Sequence, residues 1–413
     1  MQDVYIVGVG MTPFGRHLDR SDKQLTAQAV EEALADAACE RGHIGAAFFG
    51  NCGQGYMQGQ HMVRGQVALL PLGLQGIPVM NVENACATAS TAFHMALTYV
   101  RAGSADVALA VGTEKMYSTD RAKMFGVFDS AWDVELVEQT RRGFAAMSDG
   151  IEPPEGSMSA KPYSPFMDVY AGFARRHMKR FGITQRQLAI IAAKNHAHSV
   201  HNPRAQFRTA MSADEVLAAP PITYPLTLPM CSPISDGSAA AIVCSEAALA
   251  RHGFDRRRAV RVLASVMRSA SARAADDLEH HLARLAAKDA YEQAGLGPQD
   301  IHVAEVHDAT AMGELMQTEM LGLCAIGEGG EFAASGATRL GGRIPVNPSG
   351  GLESKGHPIG ATGLGQIFEL VSQLRGECGA RQVAGARIAL QENGGGIWGI
   401  EESAAHIGIY AAP

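Results

Sequence analysis

The chain has 413 residues, 42 acidic and 35 basic side chains, and a net charge of −7. Charged residues are 19 % of the chain, against ~25 % in ordinary soluble proteins, and glycine is abundant at 46 residues. The acidic balance excludes general nucleic-acid or anionic-membrane binding, which needs a positive field, and 18 prolines with 46 % apolar content exclude a disordered or collagen-like chain.

At about 150 residues per domain, the length suggests two to three domains or one large fused body. No run of ~18 apolar residues occurs, so no membrane span is expected. The opening Met1-Gln-Asp-Val-Tyr-Ile-Val-Gly lacks a basic stretch and a small-residue cleavage site, and reads as a strand rather than a signal peptide. The 7 cysteines are widely spaced and include no CxxC pair. A zinc site or disulfide framework is therefore not expected, and a reducing cytoplasm fits best.

In chain order, 4–9 reads as a strand and 25–39 as a helix. Strands follow at 46–51 and 77–82, a helix at 86–102 and a strand at 107–111. This alternation predicts an α/β fold with mostly parallel, buried strands. Residues 114–232 break the rhythm with Pro153-Pro154, Pro162, Pro165 and Pro220-Pro221. They read as an inserted loop domain with helices at about 165–181 and 185–199. Ser235-Asp236-Gly237-Ser238 then turns into a strand at 239–244. The rest repeats the scheme: strands at 260–266, 302–306, 386–390 and 407–410, and helices at 277–294, 309–323 and 359–375. Two halves, 1–250 and 251–413, share this cadence without a clear residue-level repeat.

Some glycine motifs mislead. Gly8-Val-Gly10 follows the first strand, but the third glycine of a dinucleotide fingerprint would fall at Pro13. The pair reads instead as a turn for close packing. No GxxxxGK[ST] phosphate loop occurs. Arg175-Arg176-His177 and Arg256-Arg257-Arg258 read as solvated faces, or as contacts to the phosphates of a cofactor such as coenzyme A.

Four segments carry chemistry. In Asn84-Ala85-Cys86-Ala87-Thr88-Ala89-Ser90, a strand ends and a helix of small residues begins at Cys86. The helix dipole and free N–H groups there should lower the thiol pKa and favour a nucleophilic thiolate. In Asn347-Pro-Ser349-Gly350-Gly351 through Gly356-His357-Pro-Ile-Gly360-Ala-Thr362-Gly363, a histidine stands among glycines that permit close approach to a ligand. His357 could take the thiol proton. His307, in Glu305-Val-His307-Asp308-Ala-Thr310, follows a buried strand, where open α/β sheets place ligands. Glu392, in Gln391-Glu392-Asn393-Gly394-Gly395-Gly396, also follows an apolar strand and is either turned inward or a turn carboxylate.

Together with Gly10-Met-Thr-Pro-Phe-Gly15, these blocks resemble the thiolase superfamily, in the family's order and over nearly the whole chain. The His307-Asp-Ala form resembles the sterol-carrier-protein-2 type branch. The resemblance implies an α/β thiolase fold: two similar half-domains stacked in five αβαβα layers, with a loop domain that carries much of the coenzyme A site. It implies Cys86 as acyl-accepting nucleophile and His357 as its activator. His307 helps hold the thioester oxygen, and the backbone N–H groups of Cys86 and Gly394 form an oxyanion hole. Ser349, Gly350, Arg175 and Arg176 are the expected coenzyme A contacts. Coenzyme A enters as a substrate, with no tightly bound cofactor and no metal of the chain's own. A homodimer is implied, and relatives pair with a small zinc-ribbon/OB-fold protein.

The implied reaction is thiolysis of a 3-ketoacyl-CoA, or the reverse Claisen condensation. In one departure, Glu392 stands where ordinary thiolases carry a second cysteine that moves the enolate proton; a buried carboxyl can do this. In another, Thr310 replaces a bulky aromatic residue, which predicts a wider pocket for a branched, aromatic or steroid-derived acyl group. The alternatives are a thiolase-like aldolase cleaving a 3-hydroxyacyl-CoA, and a non-catalytic acyl-CoA or lipid carrier.

Overall fold

The structure, a computed structural model, describes residues 2–147 and 150–413. Its strands are β1 (Val4–Met11), β2 (Ala46–Gly50), β3 (Val79–Val82), β4 (Val107–Lys115), β5 (Pro221–Thr223), β6 (Leu226–Thr227), β7 (Asp236–Ser245), β8 (Val260–Ser269), β9 (Val303–Glu305), β10 (Ile388–Gly395) and β11 (Ala404–Ala411). Among the described residues, β5 and β6 form a small ribbon, and the other strands make one sheet in the order β3-β2-β4-β7-β1-β8-β11-β10-β9.

Strand direction departs from expectation. β2 runs parallel to β3 and β4, and β10 parallel to β9. The centre of the sheet is antiparallel: β4 with β7, β7 with β1, β1 with β8, β8 with β11, and β11 with β10. The reason lies in burial. β1 and β7 are covered along their whole length, so they read as unbroken apolar runs, a pattern usually taken for parallel strands. β7 also begins earlier than expected, at Asp236, whose carboxylate accepts the N–H groups of His17, Met116 and Tyr117 at 2.9, 2.8 and 2.7 Å.

The order reads alike outward from the centre. β1, β7, β4, β2, β3 on one side correspond to β8, β11, β10, β9 on the other. There the fifth member is a single bridge from Val346 to Ala304. Strands up to residue 245 lie on one side and those from 260 on the other.

Alternation along each strand sets the layers. Val4 and Ile6 face a central layer formed by helices Thr88–Arg101 and Thr362–Leu374, against Phe93, Leu97, Leu364 and Ile367. Tyr5 and Val7 face outward, onto Ala29, Val30 and Ala33 of helix Asp22–Ala37. On the other side, Leu390, Ile407 and Ile409 receive Ala286, Ala290 and Tyr291 of helix Leu282–Ala294. The result is five layers, αβαβα. Each fully buried Phe or Leu in them is worth about 1.5–3 kcal/mol.

Gly8 and Gly10 lie within β1, not in a turn. A Cβ on Gly10 would stand 2.1 Å from Ala29 O, and one on Gly8 2.3 Å from Ala33 O. They serve strand–helix contact, as close packing predicts. Residues 114–232 contain helices Phe166–Phe181 and Gln185–Ser199, and also Arg121–Gly126, Val137–Met147 and Ala213–Ala218, which the sequence pattern did not reveal. The two longer ones bury Val169, Phe173, Leu188 and Ile191 against Met312 and Leu315 of helix Ala311–Met320. Among the described residues no helix is long and apolar enough to cross a membrane.

Candidate active site

Both central helices begin at one place between the halves of the sheet. The first is preceded by a 3-10 turn, Ala85–Ala87, with Ala85 in left-handed backbone at φ 47°. That conformation costs an alanine roughly 1–2 kcal/mol. An N–H in such a first turn has no carbonyl within the helix to bond. The end of β10 lies directly on the turn: a Cβ on Gly395 would stand 2.3 Å from Asn84 O and 2.9 Å from Cys86 N.

His357 arrives from the loop before the second central helix. Its Nε2 lies 3.2 Å from Cys86 Sγ, and its Nδ1 lies 2.7 Å from Thr362 Oγ1. The Thr362 hydroxyl donates its single proton to Pro358 O at 3.1 Å. It therefore accepts from Nδ1–H, which leaves Nε2 as the bare acceptor facing the thiol. His307 completes the group. Cys86 Sγ and one ring nitrogen from each histidine lie within 4.8 Å of one another. Both ring nitrogens of His307 are buried and, among the described residues, without a hydrogen-bond partner.

Electrostatics correct one expectation. Burial pushes the Cys86 thiol up from 9.0 to about 12, and the negative charges of Glu83 and Glu114 add to this. That shift is worth roughly 4 kcal/mol against the anion. One helix terminus returns only about 0.3–1 kcal/mol, so the thiol rests protonated. Burial also lowers His307 to about 4. His357 falls well below the usual histidine range through burial, then through the charges on His307 and Lys355. Both rings are neutral at pH 7.

Glu392 is fully buried behind His307. Its Oε2 accepts the His307 backbone N–H at 2.9 Å, and its Oε1 has no partner. Burial raises its pKa well above the carboxylate range, with Glu402 and Asp308 adding and the His307 and Gly394 N–H groups opposing. The glycines of this stretch that line the cavity wall are Gly395 and Gly396. The wall also contains Cys86, His307, His357 and Glu402. Glu402 was not singled out in the sequence.

The cavity holds about 50 Å³, and Phe128, Phe166, Met167 and Tyr170 also line it. Thr310 does not line it. It caps helix Ala311–Met320, accepting the Gly313 N–H at 3.4 Å, so it does not widen the pocket.

The expected coenzyme A contacts are not brought into this wall. Ser349 is fully buried, with its hydroxyl 2.7 Å from Glu305 Oε2, and a Cβ on Gly350 would meet Ser199 Cβ at 2.5 Å. Most glycines around His357 likewise make room for protein: Gly351 faces the Asp308 carboxylate and Gly360 that of Glu114. Arg175 donates to Tyr224 O at 2.6 Å, and Arg176 is half-buried on the same helix.

Comparison with known proteins gives the family. Residues 4–216 match the thiolase N-terminal domain and residues 264–407 the thiolase C-terminal domain-like family. The chain belongs to the thiolase family. It is 39 % identical over 402 residues to human sterol carrier protein 2, covering 95 % of this chain and 70 % of that one. It is 36 % identical over 398 residues to the benzoylsuccinyl-CoA thiolase subunit BbsB of Thauera aromatica, covering 95 % and 94 %. These likenesses place it in the sterol-carrier-protein-2 type branch, among acyl-CoA acyltransferases that use coenzyme A as a substrate. The solved structure of an Ltp2–ChsH2(DUF35) aldolase shares the fold, with a TM-score of 0.76 at 23 % identity over 99 % of this chain and 98 % of that one.

Proposed function

We propose that this thiolase cleaves a 3-ketoacyl-CoA, or runs the reverse condensation, through an acyl-enzyme on Cys86. The carrying observation is the 3.2 Å contact between Cys86 Sγ and a His357 Nε2 left unprotonated by its Thr362 anchor. The thiol passes its proton to Nε2 as sulfur attacks the ketone carbon. Carbon–carbon cleavage leaves a thioester on Cys86 and the enolate of a shorter acyl-CoA. The Cys86 N–H faces the thioester oxygen. The protonated Nε2 of His357 and a ring N–H of His307 face the enolate oxygen. A carboxyl group, in place of a second thiol, handles the enolate carbon's proton. Coenzyme A then takes the acyl group from Cys86.

The acyl group is apolar and aromatic or branched, met by Phe128, Phe166 and Tyr170, with no Lys or Arg in the wall among the described residues. A cavity of about 50 Å³ has room for a few waters, so a bulky group needs the wall to open, with Phe128 and Phe166 as the side chains that would turn. The free edge of β3, beside exposed Met62 and Val63, supports a homodimer. A small zinc-ribbon/OB-fold partner is the further expected subunit.

Intact-mass spectrometry after mixing with a panel of 3-ketoacyl-CoAs tests the reading. An adduct on Cys86, absent in Cys86→Ala, together with a new CoA thioester, is expected. Release of a free aldehyde or ketone from a 3-hydroxyacyl-CoA without any adduct would identify an aldolase instead.

A further inference from the structure

Two neighbouring glutamates in Ile400-Glu401-Glu402-Ser403 have opposite surroundings. Glu401 is spent on structure: its oxygens take Arg273 Nε at 2.5 Å, Ser271 Oγ at 2.7 Å and the Leu282 N–H at 3.3 Å. Glu402 is 5 % exposed and forms part of the cavity wall with Cys86, His307 and His357. Gln317 Nε2 donates to its Oε1 at 3.1 Å, and its Oε2 makes no hydrogen bond among the described residues. The nearest ring nitrogen to Oε2 is His281 Nε2, at 3.5 Å. His281 accepts the Ala283 N–H at Nδ1, 3.2 Å away, so the proton of its neutral ring sits on Nε2 and faces Glu402.

Glu392 holds the position where a second cysteine was expected, yet its Oε2 is taken by the His307 N–H. The two carboxyls flank one glycine: a Cβ on Gly394 would lie 3.4 Å from Glu392 Oε1 and 3.0 Å from Glu402 Cγ. Resting on the thiolase reading above, we propose that Glu402 is the acid–base that exchanges the proton of the enolate carbon, and that Glu392 is a positioning residue for His307. Burial raises the Glu402 carboxyl above its ordinary value, toward the protonated form an acid needs.

The proton account closes. Cleavage of the carbon–carbon bond puts its electron pair on the enolate, and Glu402 gives that carbon its proton and becomes a carboxylate. The thiol of the incoming coenzyme A returns a proton to Glu402 as its sulfur attacks the Cys86 thioester. The departing Cys86 sulfur recovers the proton held by His357. In condensation each transfer reverses.

The test uses the full chain with acetyl-CoA and propionyl-CoA in D2O. Deuterium entering the α-carbon and acylation of Cys86 are both read by mass spectrometry. Glu402→Gln should lose about 100-fold or more of the exchange while Cys86 acylates at close to the unsubstituted rate. Glu402→Asp, which keeps the acid and guards against a folding defect in the glutamine variant, should recover part of the exchange. Glu392→Gln should slow acylation and exchange together. Unchanged exchange in Glu402→Gln overturns the inference. So does an equal loss of acylation and exchange there, or an unsubstituted chain that acylates without exchanging. Absence of any Cys86 adduct in the unsubstituted chain is a different result and overturns the thiolase reading itself.

Discussion

Thr362 offers the sharpest test of how His357 is armed. Its Oγ1 receives the Nδ1 proton at 2.7 Å, and that bond alone assigns the bare nitrogen to the Cys86 side. Thr362→Val removes the oxygen with little change of shape. Pro358 O stays satisfied, because it also accepts the N–H groups of Ala361 and Thr362 at 2.8 and 3.0 Å. Only Nδ1 is orphaned. A hydrogen bond to a neutral ring is worth about 0.5–1.5 kcal/mol and one to a charged ring about 1.5–3 kcal/mol. The transition state, in which the ring becomes imidazolium, therefore loses about 1–1.5 kcal/mol more than the ground state, roughly tenfold in rate. Loss of tautomer control adds to this, for a total of roughly 10- to 50-fold. Single-turnover acylation of Cys86, followed by intact mass, measures it, and Thr362→Ser should restore the rate. A valine variant acylating as fast as the unsubstituted chain would show that the tautomer is not set by this contact.

Three further outcomes are expected. Glu114 accepts Asn51 Nδ2 at 3.1 Å and the N–H groups of Cys52, Gly53 and Gly360 at 3.0, 3.0 and 3.1 Å; Glu114→Gln leaves two of these donors unmet and should cost roughly 2–5 kcal/mol in denaturant unfolding. Burial raises Glu114 from 4.5 to about 7, so the folded state holds this proton where the unfolded state has lost it. Stability from this group is therefore complete below pH 4.5 and declines by about 3 kcal/mol as pH climbs to about 7, a slope that Glu114→Gln should flatten. For Cys86, with its thiol near 12, iodoacetamide alkylation should rise about tenfold per pH step from roughly pH 6 to 9; a plateau near neutrality would mean a resting thiolate. Gly395→Ala drives a Cβ to 2.5 Å from Ala87 N and should cost about 1–3 kcal/mol and most of the acylation rate, while Gly42→Ala, with nothing within 4 Å, leaves both intact.

Local patterns reached as far as local physics does. Helices Gln185–Ser199 and Phe166–Phe181 are legible because a Thr184 cap and a Gly182 stop bracket apolar spacing. Cys86 and His357 stand out because small residues and glycines crowd them. Strand direction in the centre was not legible, since β1 and β7 are apolar on both faces whichever way they run. The glycines near His357 are placed by Asp308 and Glu114, partners distant in sequence. Glu402 carried no signal at all: only the fold distinguishes it from Glu401, by sending one side chain to Arg273 and the other to the cavity.

That difference bears on how the site works. Burial holds Cys86 protonated and both histidines unprotonated, and it pushes the Glu392 and Glu402 carboxyls up, toward the protonated form. Cys86, His307 and His357 thus rest uncharged in the cavity wall. A Cys–His site resting as thiolate and imidazolium would bind its own charges tightly and would have to surrender that energy on reaching the transition state. Here charge arises only once the substrate carbonyl is there to receive it. It arises beside two helix N-termini and two histidine rings already fixed in place. The high thiol pKa is therefore consistent with catalysis: it keeps the nucleophile quiet until a ketone stands within reach of both sulfur and His357.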